Sequence, residues 1–169
     1  MKNKKTNKSK TLFLTQSALV AALYVALTWV SNLAGLASGA VQVRISEALC
    51  ILPAFMPASI PGLFIGCFIS NLSMGSHIVD VICGSLATLI GALVTLKLKN
   101  RFLAPIPAVV SNTLIVPFVI LYCYTAPEAR NVSTYFLTTA GVFAGEIISA
   151  YVFGLILYTA LEKRKNIFK

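Results

Sequence analysis

The sequence predicts an all-α membrane protein, a bundle of six transmembrane helices, and three observations predict it. Charged residues make up only 11% of the chain and apolar ones 57%, where a soluble domain carries about 25% charge. Apolar runs close to the ~20 residues that cross a bilayer recur along the whole chain. Lys and Arg gather at the ends of those runs, the pattern of loops on the cytoplasmic side facing anionic lipid. A membrane β-barrel fits poorly, since barrel strands alternate apolar and polar residues and these runs are apolar on every side. The 169 residues leave room for one membrane domain, 11–163, between two short tails.

Residues 1–10 hold five lysines and little to bury, so they read as a disordered cytoplasmic tail. The first span, 12–31, starts like a secretory signal and is followed by the small residues Ala37, Ser38, Gly39 and Ala40. It is nevertheless longer than the ~7–15 residue apolar region of a signal. Within it Ala18, Ala22 and Ala26 recur every four residues, a flat strip that admits another backbone, either the chain's own helices or a docking partner. Residues 32–43, rich in Gly, Ala and Ser, read as a loop.

The stretch 45–72 is broken by Pro53, Pro57, Pro61 and Gly62 and could form one kinked span or two short ones. Charge placement decides. With two spans, at 44–57 and 60–73, followed by spans at 78–96, 104–125 and 133–161, twelve of the 14 Lys and Arg residues share the cytoplasmic side. Only Arg44 and Arg130 remain outside. With one span, the 97–101 loop and the C-terminal tail, 164–169, would move outside. Short, Pro-interrupted spans also point to a binding site in transporters. The pairs Gly62 with Gly66, and Gly141 with Gly145 and Ser149, suggest tight helix contacts.

Six spans bring most of the unusual polar residues to one level. Arg44 and Glu47 open the second span, Asn71 closes the third, and His77 and Asp80 open the fourth. Tyr122 and Tyr124 close the fifth, Trp29 and Asn32 the first, while Asn112 and Glu146 lie near the middle of the fifth and sixth. A carboxylate such as Glu146 facing lipid would cost several kcal/mol, so it should face the bundle interior. Arg44 alone stands against Glu47, Asp80 and Glu146, so either a carboxyl stays protonated or a cationic, donor-rich ligand completes the balance. Simpler roles stand beside these: Arg44 and Glu47 as an i, i+3 surface pair, Trp29, Tyr122 and Tyr124 as interfacial belt residues, and His77 as a loop residue.

Cys50, Cys67, Cys83 and Cys123 all lie in apolar runs without metal-type spacing and read as packing residues. No basic helix face interleaved with aromatics suggests nucleic acid as a partner. The sequence contains no phosphate-binding GxxxxGK[ST] loop and no GxSxG or HExxH signature, so neither ATP hydrolysis, an enzyme reaction, a cofactor nor a metal is expected of this chain itself.

The segments VQVRISEALCILPAFMPASIPGLFIGCFISNL, DVICGSLATLIGAL, LAPIPAVVSNTLIV and GEIISAYVFGLILYTALEK, in this order over about 41–163, resemble the QueT family of queuosine-precursor transporters. These are substrate-binding S components of energy-coupling factor (ECF) transporters. The resemblance implies a six-helix S component in the cell membrane with both termini cytoplasmic. It implies that the Ala18, Ala22 and Ala26 strip docks onto a transmembrane coupling protein driven by two cytoplasmic ATPases. The ligand it implies is a 7-deazaguanine: preQ1, preQ0 or queuine. A guanine-like edge offers adjacent N–H donors that suit Glu146 or Glu47, and the cationic aminomethyl group of preQ1 suits Asp80. Asn71 or Asn112 would meet the carbonyl, and Trp29 or Tyr122 would stack on the ring. Two other classes compete: a stand-alone facilitator or proton-coupled carrier with Glu146 as its relay, and a structural subunit without a ligand.

Overall fold

In the computed structural model, which describes residues 2–36 and 41–163, every regular element is helical. The expected tail 164–169 and the small residues at 37–40 lie outside the described residues. The elements are α1 (Lys2–Leu33), a 3-10 segment (Ile45–Ala54), α2 (Ser59–Ser73), α3 (Ile78–Thr95), α4 (Ile106–Cys123), and a last rod made of α5 (Val132–Glu146), a π-helical stretch (Ile147–Phe153) and α6 (Gly154–Glu162). Helical backbone begins at Lys2, so residues 2–10, expected as a disordered tail, continue α1 here. No Gly or Pro interrupts them, and lysine is a fair helix former.

Hydrogen bonds fix the direction of each pass. Ser31 Oγ accepts from the Ile45 N–H at 2.9 Å and Thr28 Oγ1 donates to Ser46 Oγ at 2.8 Å, near one end of α1. Nearer the other end, Ser17 Oγ donates to the Ala58 carbonyl at 2.7 Å. The chain therefore runs down the length of α1 between 45 and 58. α2 then climbs back: Gly62 lies against Ser17 and Val20, Gly66 against Ala21 and Tyr24, and Ser73 accepts from Trp29 at 3.2 Å. The stretch 45–73 is thus two passes.

The descending pass is a 3-10 helix, not the α-helix expected over 44–57. At ~2.0 Å per residue against ~1.5 Å, this tighter winding lets ten residues reach about 20 Å. Ser46 to Pro53 are all buried, so this segment is the axis of the bundle, packed on by α1, α3 and the last rod.

α3 and α4 are antiparallel, joined at one end by Thr95 Oγ1 donating to the Ala104 carbonyl at 3.0 Å and at the other by the His77 N–H donating to Tyr124 at 2.9 Å. Tyr158 in α6 donates to the Lys99 carbonyl at 2.8 Å and packs at a tilt against Phe55, 4.6 Å between ring centres. The turns near 55–58 and 96–105, the start of α1 and the end of α6 therefore share one face. That face carries Lys97, Lys99, Arg101 and Lys163, with Arg44 and Arg130 toward the opposite one, as the charge argument requires. Among the described residues, four helices are long and apolar enough to cross a membrane: Ser9–Leu33, Ile78–Thr95, Ile106–Cys123 and Val132–Glu162. The 3-10 segment and α2 are shorter passes.

Candidate ligand-binding site

Four charged residues, three from three helical elements and one from the strap before the 3-10 segment, line one hollow. Arg44 precedes the 3-10 segment, Glu47 sits in its first turn, Asp80 in the first turn of α3, and Glu146 ends α5 where the π stretch begins. Gln42, Cys67, Gly84, Thr88, Asn112, Val116 and Val142 complete the wall. The cavity volume is about 40 Å³, sized for water molecules in this closed form. Three carboxyls and one guanidinium thus meet around a polar, bundle-enclosed space.

The two glutamates differ in what surrounds them. Glu47, 3% exposed, receives the buried Tyr24 hydroxyl on Oε1, and on Oε2 the Cys50 thiol at 3.1 Å and Asn112 Nδ2 at 3.5 Å. Its acceptor positions are largely taken by the protein. Glu146 Oε1 accepts from the same Asn112 Nδ2 at 2.9 Å, while its buried Oε2 has no hydrogen-bond partner among the described residues. An orphaned buried carboxylate oxygen is costly unless something donates to it. The π stretch widens the rod just where Glu146 points inward, a distortion often found at functional sites.

Toward the face opposite the lysine turn, Arg44 is held at both ends. Its N–H donates to Ser149 Oγ at 3.0 Å and its Nη1 donates to Asn71 Oδ1 at 3.1 Å. Asp80 Oδ2 accepts from the Tyr124 hydroxyl at 3.0 Å. A phenol keeps its proton at neutral pH, so the Tyr124 hydroxyl is the donor in this bond.

Of the residues singled out in the sequence, Arg44, Glu47, Asp80, Asn112 and Glu146 come together. Asn71, 1% exposed, stands behind Arg44 and does not line the hollow. Tyr122 is elsewhere: it is 63% exposed, its carbonyl accepts from Arg130 Nη2 at 2.9 Å, and that guanidinium lies 5.8 Å from its ring centre. It serves the α4–α5 turn, with its ring outside the bundle. Trp29, bonded to Ser73, is also outside the wall, and His77 caps α3 by accepting from the Val79 N–H at 3.3 Å. Ala18, Ala22 and Ala26 all face outward.

Sequence reasoning missed Tyr24, Gly84 and Thr88, and took Cys50 and Cys67 only as packing. Two signals were available. Asp80, Gly84 and Thr88 are spaced by four and share one face of α3. Ser17, Tyr24, Thr28 and Ser31 form a polar stripe on α1 at helical spacing.

Taken together, the passes, the basic face and the enclosed acidic hollow define a multi-pass helical membrane protein built around a small polar chamber. Comparison with known proteins carries this further: the QueT transporter family matches residues 14–163, and the chain belongs to that family. A queuosine precursor transporter, QueT, of Lactococcus lactis subsp. cremoris (strain MG1363) is 41% identical over 95 residues. The aligned stretch is 56% of this chain and 56% of that relative, so the match spans about half the length of each. No solved structure matches the chain.

Proposed function

We propose that this chain is the substrate-binding S component of an ECF-type importer, taking up a queuosine precursor of the 7-deazaguanine class: preQ1, preQ0 or queuine. The observation that carries the reading is the convergence of Glu47, Asp80 and Glu146 with Arg44 on one hollow, an excess of carboxylate that a nitrogen-rich solute completes. Glu146, with its free Oε2, is the better acceptor for the N–H edge of the ligand, since Glu47 is already occupied by Tyr24, Cys50 and Asn112. Asp80 takes the ammonium of preQ1. Asn112 spends both amide hydrogens on the two glutamates and holds them together, which leaves the carbonyl to the Arg44 guanidinium. Arg44, backed by Asn71, closes the opposite side. A bicyclic base is larger than the cavity, so its admission requires the walls, the 42–44 strap among them, to move apart.

In this reading the lysine-bearing face is cytoplasmic, with both termini on it, in keeping with the positive-inside rule. Ala18, Ala22 and Ala26 line an outward apolar groove of about 650 Å³ with Leu14, Val25 and Ile65. It supports docking of a transmembrane coupling protein, itself driven by two ATPases. The chain performs no catalysis of its own.

Calorimetric titration of the detergent-purified chain with the three 7-deazaguanines tests the proposal. Glu146→Gln is expected to weaken binding at least tenfold, with Glu47→Gln and Asp80→Asn measured alongside. An affinity unchanged by Glu146→Gln removes the assigned acceptor. No binding of any of the three removes the ligand class. A stand-alone carrier that relays protons through the orphaned Glu146 oxygen is the competing reading. Uptake into vesicles lacking any ATPase would favour it.

A further inference from the structure

On the lysine-bearing face α3 ends and α4 begins, and beside that turn an apolar groove of about 550 Å³ runs along the outside of the bundle. Ile90, Val94 and Leu98 form one wall, and Leu103, Val110 and Leu114 the other. The two helices touch at Gly91, where an added Cβ would stand 3.0 Å from Ala108 Cα, and this close approach shapes the groove. Each wall runs about eight helical residues from the turn, roughly 12 Å at ~1.5 Å per residue. That approaches the depth of one leaflet, half of a ~30 Å hydrocarbon core. The groove volume is ample for the part of an acyl chain that lies along that length.

The mouth is charged. Lys97, Lys99 and Arg101 are all exposed there, Lys97 and Lys99 on either side of the groove residue Leu98 and Arg101 two residues before Leu103. The turn that presents them is fixed: Tyr158 donates to the Lys99 carbonyl at 2.8 Å, and Asn100 Oδ1 accepts from the Phe102 N–H at 2.9 Å. The Arg101 guanidinium lies 4.6 Å from the Phe102 ring centre. Three cations on a held turn, at the interfacial end of a leaflet-deep apolar groove, match a headgroup carrying net negative charge.

We propose that this groove binds one anionic phospholipid, its phosphate on Lys97, Lys99 and Arg101 and one acyl chain laid between α3 and α4. A zwitterionic headgroup brings its own cation to the three already present and is the poorer fit. A partner helix is disfavoured by the bulky branched walls, since close helix contacts in membranes use small residues.

Native mass spectrometry of the full chain in detergent, titrated with phosphatidylglycerol or phosphatidylcholine, tests this. Phosphatidylglycerol is expected to bind more tightly, and soluble glycerol phosphate to compete with neither. Lys97→Gln, Lys99→Gln and Arg101→Gln together should weaken the anionic lipid about fivefold per charge, on the order of 100-fold in all. Leu114→Trp, at a 62% exposed position, should fill the groove and weaken both lipids with the charges intact. Equal binding of the two lipids, anionic binding unchanged in either variant, or displacement by glycerol phosphate would overturn the proposal.

Discussion

Gly145→Ala tests how the last rod positions the 42–44 strap. A Cβ built on Gly145 overlaps the Gln42 carbonyl oxygen and stands 3.0 Å from its carbon and 3.3 Å from its nitrogen, where ordinary contact begins at 3.4 Å. Alanine is the better helix former by about 1 kcal/mol, so the sign of the change rests on the clash. The clash wins because the obstructing atoms are backbone, two residues before the Arg44–Ser149 hydrogen bond. The strap must retreat on the order of 1 Å, and overpacking of this kind costs about 1–3 kcal/mol. Arg44 then loses its grip on Ser149 and its aim at the hollow. That backbone bond is neutral, but the guanidinium it positions would give up one charge-assisted hydrogen bond to the ligand, about 1.5–3 kcal/mol, which lowers affinity roughly 10–100-fold. Thermal unfolding in detergent reads the first effect and calorimetry with preQ1 the second, with circular dichroism to check that helix content is kept. An unfolding temperature and an affinity both equal to those of the parent chain would refute the reasoning.

Tyr24→Phe removes the hydroxyl that serves buried Glu47 and should cost about 1.5–3 kcal/mol of stability; an unchanged unfolding midpoint would show that this bond contributes nothing. Ala22→Trp roughens the outward strip without touching the hollow, so ligand affinity should stay within twofold while ATP-driven uptake by the proposed importer, reconstituted with a coupling protein and ATPases, is lost. Uptake at the parent rate would mean that docking lies elsewhere. Tyr122→Ala should leave ligand affinity within twofold, and a tenfold loss would return that ring to the site.

The six passes were legible because the lysines and arginines that report topology are local features of the chain, independent of packing. Charge placement divides the Pro-broken stretch around Pro53 and Pro57 into two passes, and the hydrogen bonds that Ser31 accepts from Ile45 and Ser17 donates to Ala58 agree. The winding of the passes was not legible. Whether 45–54 coils as 3-10 or α depends on the depth it must cross and the neighbours that bury it, and neither is encoded at short range. The acidic hollow was legible through its charges, since an ionised group in an apolar run has few tolerable places to go. Its neutral members were hidden: Tyr24 reads as one more apolar-run aromatic until its hydroxyl is seen on Glu47. Tyr122 was misplaced because α4 is apolar all round, leaving no stripe from which to phase it. Tyr124, two residues on and turned by about 200°, is the one that reaches Asp80.

The wide turn at Ile147–Phe153 sets the rotational phase between the two halves of the last rod. Below it, Tyr158 is tied to Lys99; above it, Glu146 is tied to Asn112. The loosened coil works as a swivel that lets both ties form on one shaft. Shortening that coil by a single residue would twist the upper half about 100°, swinging the carboxylate toward the lipid while the lower anchor stayed in place. Substitutions within those seven residues should therefore be better tolerated than insertions or deletions.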